Sequence, residues 1–136
     1  MKRKILIVVS DYYKNISLNL EKAAIKVLKK NSFSYKTLKA PGVFEIPVII
    51  AKNSKKYTGF IALGCVVKGK TPHFNYISKS TINALMNYSI KNKKPIGNGL
   101  ITCLNITQAK IRSSKSGKNR GKEAANAVVR VLKNAW

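Results

Sequence analysis

Tyr57-Thr58-Gly59-Phe60-Ile61-Ala62-Leu63-Gly64-Cys65-Val66-Val67 runs straight into Lys68-Gly69-Lys70-Thr71-Pro72-His73-Phe74. The first part reads as an apolar strand. The second is a loop of glycine, cation, hydroxyl and proline, and it delivers the chain's one histidine. A histidine side chain titrates near neutral pH, which suits it to carrying protons at pH 7. Thr71 and the backbone around Gly69 offer the groups that a phosphate-binding turn needs. On its own, a loop histidine is as readily a solvated or capping side chain, so its neighbours must decide.

Outward from that strand the chain alternates between strand and helix. Lys4–Ser10 is a compact apolar strand. Ser17–Lys30 follows, with Leu18, Leu20, Ala24, Val27 and Leu28 at helical spacing and Ser17 as its expected N-cap. Phe33–Lys39 reads as the second strand and Phe44–Asn53 as a short helix that tolerates Pro47 in its first turn. The third strand, Tyr57–Val67, is followed by a helix over Asn75–Lys91. A fourth strand over Pro95–Cys103 leads to a short helix at Ile106–Arg112. A flexible-looking Ser/Gly/Lys linker, Ser113–Lys118, precedes a last helix over Arg120–Asn134. Strands separated by helices pair in parallel through right-handed crossovers, which predicts a three-layer α/β/α sandwich on a four-stranded parallel sheet. With 136 residues and no internal repeat, residues 1–136 are read as one domain.

Composition narrows the function classes. A hydrophobic content of 45% belongs to a folded globular chain. No run approaches the ~18 apolar residues of a membrane span. Met1-Lys2-Arg3-Lys4 and Ile5–Val9 superficially suggest a signal peptide, but the apolar run is too short, and a cytoplasmic protein is expected. Cys65 and Cys103 lie in apolar strands without C-x-x-C spacing, as two small buried hydrophobes in a reducing compartment. With one His and four acidic residues, neither a metal site nor a cofactor is expected. The net charge of +23 would ordinarily point to nucleic acid or an anionic membrane. Here the lysines are spread from end to end among many Asn and Ile, the composition that an AT-rich genome favours. Nonspecific polyanion binding is the remaining expectation.

In a parallel sheet, ligands collect beyond the carboxyl ends of the strands. Ser10–Asn15, Ala40–Glu45 and Lys68–Phe74 each follow a strand and so emerge on one edge. The first carries Tyr12 and Tyr13, which can stack on a flat heterocycle or simply lie in solvent. The second opens a helix, whose free N–H groups suit a carbonyl or a hydroxyl-rich chain. Glu45 there is either an acceptor for hydroxyls or a first-turn acid favoured by the helix dipole. The third combines Lys70, Thr71 and His73.

Four stretches resemble the lumazine synthase family. Gly64–Tyr76 follows its pattern G-x-V-[IV]-[RK]-G-x-T-x-H-[FY]-[DN]-Y. Ala40–Pro47 is similar to its [AV]-P-G-[AS]-x-E-[IL]-P segment, and Pro95–Thr102 to its P-[IV]-x-[FN]-G-[IV]-[LI]-T strand. Arg112 through Gly121 fits R-x(7)-[KR]-G, although Ser116-Gly117-Lys118-Asn119 departs from the common order of glycine and lysine. The resemblance spans the chain in order and implies a flavodoxin-like fold. It also implies the condensation of 5-amino-6-(D-ribitylamino)uracil with 3,4-dihydroxy-2-butanone 4-phosphate to 6,7-dimethyl-8-ribityllumazine, with release of phosphate. By the same resemblance His73 moves protons, Tyr12 stacks on the pyrimidine, and Lys70, Thr71 and Arg112 hold the phosphate. Gly42, Val43, Phe44, Glu45, Val66, Val67, Asn98 and Arg120 complete the substrate-binding set. Asn98 and the Arg112 region would come from a neighbouring subunit of a pentamer, or of a shell of sixty chains. Asp11 stands where Arg is usual and Lys68 where Arg is more usual. Two other readings stay open at this point: a noncatalytic flavin- or lumazine-binding relative, and a basic nucleic-acid-binding protein.

Overall fold

Lys4–Ser10 (β1) is buried from its second residue to its last, and strands flank it on both sides. The structure, a computed structural model, describes residues 4–115 and 117–134. Ser34–Ala40 (β2) and Gly59–Val67 (β3) pair with β1 in parallel, and Ile96–Cys103 (β4) pairs with β3, giving the order β2-β1-β3-β4. The connecting helices are Lys14–Lys30 (α1), Ile46–Lys52 (α2), His73–Asn92 (α3), Ile106–Arg112 (α4) and Arg120–Lys133 (α5). The fold is the expected three-layer α/β/α sandwich, flavodoxin-like, on a four-stranded all-parallel sheet.

The two cores follow from the two-residue period of a strand. Ile5, Ile7 and Val9 of β1 face Leu20, Ala24 and Leu28 of α1 and Ala125 and Val128 of α5. Leu6 and Val8 face the opposite way, toward Ile46 and Ile50 of α2 and Leu85 of α3. Because both faces are covered, β1 and β3 show unbroken apolar runs and no alternation. Two glycines permit the close approach of α5. A Cβ at Gly97 would lie 2.4 Å from the Ala124 carbonyl oxygen, and one at Gly121 would lie 2.2 Å from that of Leu20.

α1, α2, α3 and α5 run back toward the amino edge of the sheet, and cations close them there. α1 ends on Lys29 and Lys30, α2 on Lys52, α3 on Lys91, and α5 on Arg130 and Lys133. These charges oppose the negative end of each helix dipole.

Local boundaries depart from the sequence reading in four places. α1 begins at Lys14, and Tyr13 stands at its N-cap without a side-chain capping bond. Ser17 is therefore inside the helix, where its Oγ donates to the Ser10 carbonyl at 2.6 Å. The segment read as one helix over Phe44–Asn53 is a 3-10 turn, Val43–Glu45, followed by α2. The ring of Pro47 opposes the carbonyl four residues before it, which disfavours a continuous α-helix from Phe44. α3 starts at His73, so the histidine is not a loop residue. The stretch read as a flexible linker has its two ends fastened: Ser113 and Asn119 form an antiparallel bridge, and the buried Ser113 hydroxyl donates to the Ala109 carbonyl at 2.9 Å. Asn119 Oδ1 then caps α5 by accepting from the N–H groups of Gly121 and Lys122 at 2.8 and 3.1 Å. Ser116 lies outside the described residues, so the departure noted at Ser116–Asn119 is followed only from Gly117 onward.

Candidate active site

β1 and β3 are adjacent, yet the chain leaves β1 toward β2 and returns to β3 on β1's other side. That is the switch point where an open α/β sheet leaves a crevice. A cleft of about 380 Å³ lies there, lined by side chains from all three loops. Ser10 and Tyr12 come from the end of β1, Gly42–Glu45 from the turn after β2, Cys65 and Val66 from β3, and His73 and Ile77 from α3.

The lip is aromatic. Tyr12 is 76% exposed and meets Tyr13 edge-on, with ring centroids 4.9 Å apart. Across the cleft Phe44 is 58% exposed. Both rings offer bare faces to a flat ligand. Asp11 pairs with Lys39 Nζ at 3.2 Å, so a lysine from β2 brings a cation to the position beside Tyr12.

Glycine geometry shapes the opposite wall. A Cβ at Gly42 would sit 3.0 Å from Glu45 Oε1, so the carboxylate is folded back over Gly42. Among the described residues Glu45 forms no ion pair, which leaves its oxygens open to hydroxyl donors. A Cβ at Gly64 would lie 2.9 Å from Val43 Cγ2, so the absence of a side chain there lets Val43 pack onto β3 as part of the cleft wall.

One thiol, Cys65, lines the cleft, and Cys103 on β4 is its neighbour. Cys65 and Cys103 are both free and buried, as expected. Burial, followed by the neighbouring Cys103 thiol, pushes Cys65 up to about 12. Tyr13 is also raised, first by desolvation and then by Cys65. The register sets Cys65 opposite Ile101 and Cys103 opposite Val67. The two cysteines are therefore diagonal neighbours with Cα atoms roughly 8 Å apart, beyond the ~7 Å limit of an unstrained disulfide.

The third loop is exposed from Lys68 to His73. Thr71 Oγ1 accepts from the His73 N–H at 3.3 Å and so caps the first turn of α3. This turn holds the imidazole at the cleft. Lys70 and Thr71 stand beside the cleft outside its lining, and Val67 turns half-buried into the α1–α5 core.

Asn98, Arg112 and Arg120 are elsewhere. All three decorate the free edge of β4, with Arg112 donating to the Thr102 carbonyl and Arg120 to the Asn98 carbonyl, both at 3.2 Å. Arg120 also meets Glu123 at 3.8 Å, and Asn98 Oδ1 accepts from the Leu100 N–H at 3.1 Å. Asn98 lies roughly 17 Å below the carboxyl end of β4, at about 3.3 Å per residue. One chain thus gathers Tyr12, Gly42, Val43, Phe44, Glu45, Val66 and His73, and keeps the arginines on another surface. Sequence reading missed Ser10, Cys65 and Ile77. Ile77 was open to detection, because it lies four residues after His73 and so on the same helix face.

The chain matches the family model described as 6,7-dimethyl-8-ribityllumazine synthase over residues 2–135. A protein of that name from Bartonella tribocorum is 40% identical over 131 residues, covering 94% of this chain and 87% of its own. The Buchnera aphidicola protein of that name is 37% identical, with 96% and 86% covered, and the Helicobacter acinonychis one is 35% identical, with 95% and 86% covered.

Proposed function

The chain belongs to the 6,7-dimethyl-8-ribityllumazine synthase family, and from that premise we propose how its cleft carries out the family's reaction. The activity is the condensation of 5-amino-6-(D-ribitylamino)uracil with 3,4-dihydroxy-2-butanone 4-phosphate, a step of riboflavin biosynthesis. An amine attacks the ketone to form an imine with loss of water, phosphate leaves by elimination, and ring closure gives the lumazine with loss of a second water. Placement and proton transfer are the tasks for the protein.

The single observation that carries the assignment of roles is the convergence of Tyr12, Glu45 and His73, from segments that follow three different strands, on one cleft. Tyr12 stacks on the pyrimidine ring. Glu45 accepts from ribityl hydroxyls, beside backbone N–H groups of the Val43–Glu45 turn. Gly42, Val43, Phe44 and Val66 form the wall, with Val67 packed behind it in the α1–α5 core, and His73 moves protons between the imine and the leaving phosphate. Lys70 and Thr71 hold the phosphate from the cleft side, and Lys68 adds a positive charge without a fork.

Arg112 completes the phosphate site and Arg120 reaches the ribityl chain, with Asn98 beside them, when a neighbouring copy lays its β4 edge against the cleft. Their distance from the cleft of their own chain supports this shared arrangement, as do the exposed Leu104 and Ile111 near Arg112. A pentamer is the assembly proposed, with a sixty-subunit shell as its possible extension, in the cytoplasm. Among the described residues no helix is long and apolar enough to cross a membrane.

Mixing purified protein with both substrates and following lumazine fluorescence tests the reading. Product formation that requires both substrates is expected. Tight lumazine binding without turnover would make this chain a noncatalytic relative.

A further inference from the structure

We propose that the pole of the domain opposite the cleft, at the amino edge of the sheet, binds the phosphodiester backbone of nucleic acid without reading its bases. The terminal cations of α1, α2, α3 and α5 collect at this pole, because these four helices run toward it. The connecting segments add more. Lys55 and Lys56 form the turn before β3, and Lys93 and Lys94 join α3 to β4. None of the four Asp and Glu side chains belongs to these segments: Asp11 and Glu45 line the opposite edge, and Glu21 and Glu123 lie within α1 and α5.

Hydrogen bonds join the segments into one surface. Lys133 Nζ donates to Asn31 Oδ1 at 3.0 Å, which ties the end of α5 to the end of α1. The Thr58 N–H donates to the Lys4 carbonyl at 2.9 Å, and Lys94 Nζ donates to the Ser54 carbonyl. The pole therefore spans all four strands, about 14 Å at a spacing near 4.8 Å, and a duplex presents a phosphate charge about every 1.7 Å. Helix dipoles account for one cation at each terminus. They do not account for Lys55 and Lys56, in the 3-10 turn Ser54–Lys56, or for Lys93 and Lys94, which follow α3; among the described residues none of the four meets an acid.

Nucleic acid fits better than a membrane surface. Of the large apolar side chains that stay exposed, Ile90 and Val131 are the ones that neighbour this pole, too few for an interfacial anchor. Nearly all the cations are lysines, point charges that neutralise phosphate and lack the fork used for base readout. Because the cleft is on the opposite edge, catalysis and nucleic-acid binding are compatible in one molecule.

Two measurements test the proposal. The first is fluorescence polarisation with labelled single-stranded and duplex oligonucleotides at several salt concentrations. The triple variant Lys55→Glu/Lys56→Glu/Lys93→Glu should bind at least ~10-fold more weakly, with a log–log salt slope smaller by about 2–3. Lys22→Glu/Lys26→Glu/Lys79→Glu, which makes the same change in net charge on the flanks of α1 and α3, should change affinity less than ~3-fold. Equal losses in the two variants would overturn the proposal, leaving net charge as the cause. The second is lysine acetylation of the unmodified protein with and without RNA, read by mass spectrometry. Selective protection of Lys29, Lys55 and Lys93 supports the pole, and uniform protection overturns it. Vesicles of phosphatidylserine and phosphatidylcholine (1:3) should bind weakly; tight vesicle binding that depends on Lys55 and Lys56, without oligonucleotide binding, would replace nucleic acid by a lipid surface.

Discussion

Arg112 uses Nη1 on the Thr102 carbonyl, and among the described residues the rest of its guanidinium fork has no partner. A charge-assisted contact from that fork to a phosphate contributes about 1.5–3 kcal/mol. Arg112→Ala should therefore raise KM for the phosphorylated ketone roughly 10- to 100-fold and change that for the pyrimidine little. Steady-state kinetics with each substrate varied in turn checks this; equal losses would remove the phosphate role. His73→Ala should slow turnover by about 10²-fold, the low end for a general acid–base, while a pyrimidine-like inhibitor binds as before. Collapse of inhibitor affinity with the rate would make His73 structural. Cys65 supplies a pH prediction. Its folded value of about 12 exceeds the ordinary 9.0, so the unfolded chain loses the proton first as pH rises. Its contribution is thus fully present below pH 9 and declines as pH climbs toward about 12. Urea midpoints across that range should fall with a steeper slope for the wild type than for Cys65→Ala. The histidine, tyrosine and glutamate were legible in the sequence because each sits just after a strand of the sheet. Ser17 was misread because a serine near a helix start usually caps it, whereas this hydroxyl donates to the Ser10 carbonyl and fastens α1 to the end of β1.

The helices and strands owe their positions to different signals, and these were unequally visible. The unbroken apolar runs of β1 and β3 located the sheet well, since a strand covered on both faces needs no alternation. β2 is an edge strand with exposed Lys36, Leu38 and Lys39, and reading it one residue early cost nothing in topology. The approach of α5 to α1 was not legible, because glycine at 121 reads equally as a turn or a flaw in a helix. Gly121→Ala should destabilise the protein by more than the ~1 kcal/mol that favours Ala over Gly within a helix, reversing the propensity expectation. Thermal melts of this variant and of Gly117→Ala, where only Ser114 Oγ at 3.9 Å would be met, separate the two effects. A Tm for Gly121→Ala at or above that of the wild type would mean that α5 can lift from Leu20 without loss.

At the scale of the whole molecule, a field of +23 per chain opposes the gathering of many copies. It is screened beyond about 8 Å at physiological salt. Light scattering should therefore give a pentamer in low-salt buffer, with larger shells favoured by phosphate or polyanions. A monomer under both conditions would sink the shared cleft, and a sixty-subunit particle at low salt would mean that repulsion is weaker than argued. The free edge of β4 bears on what dilution would do. Two of its outward carbonyls, those of Asn98 and Thr102, are already occupied by Arg120 and Arg112, so the edge is partly covered within its own chain before any neighbour arrives. On the shared-cleft proposal, folding and activation are then separate events. A solitary chain would be native by every spectroscopic measure and silent as a catalyst, and specific activity would climb with protein concentration until the ring is complete.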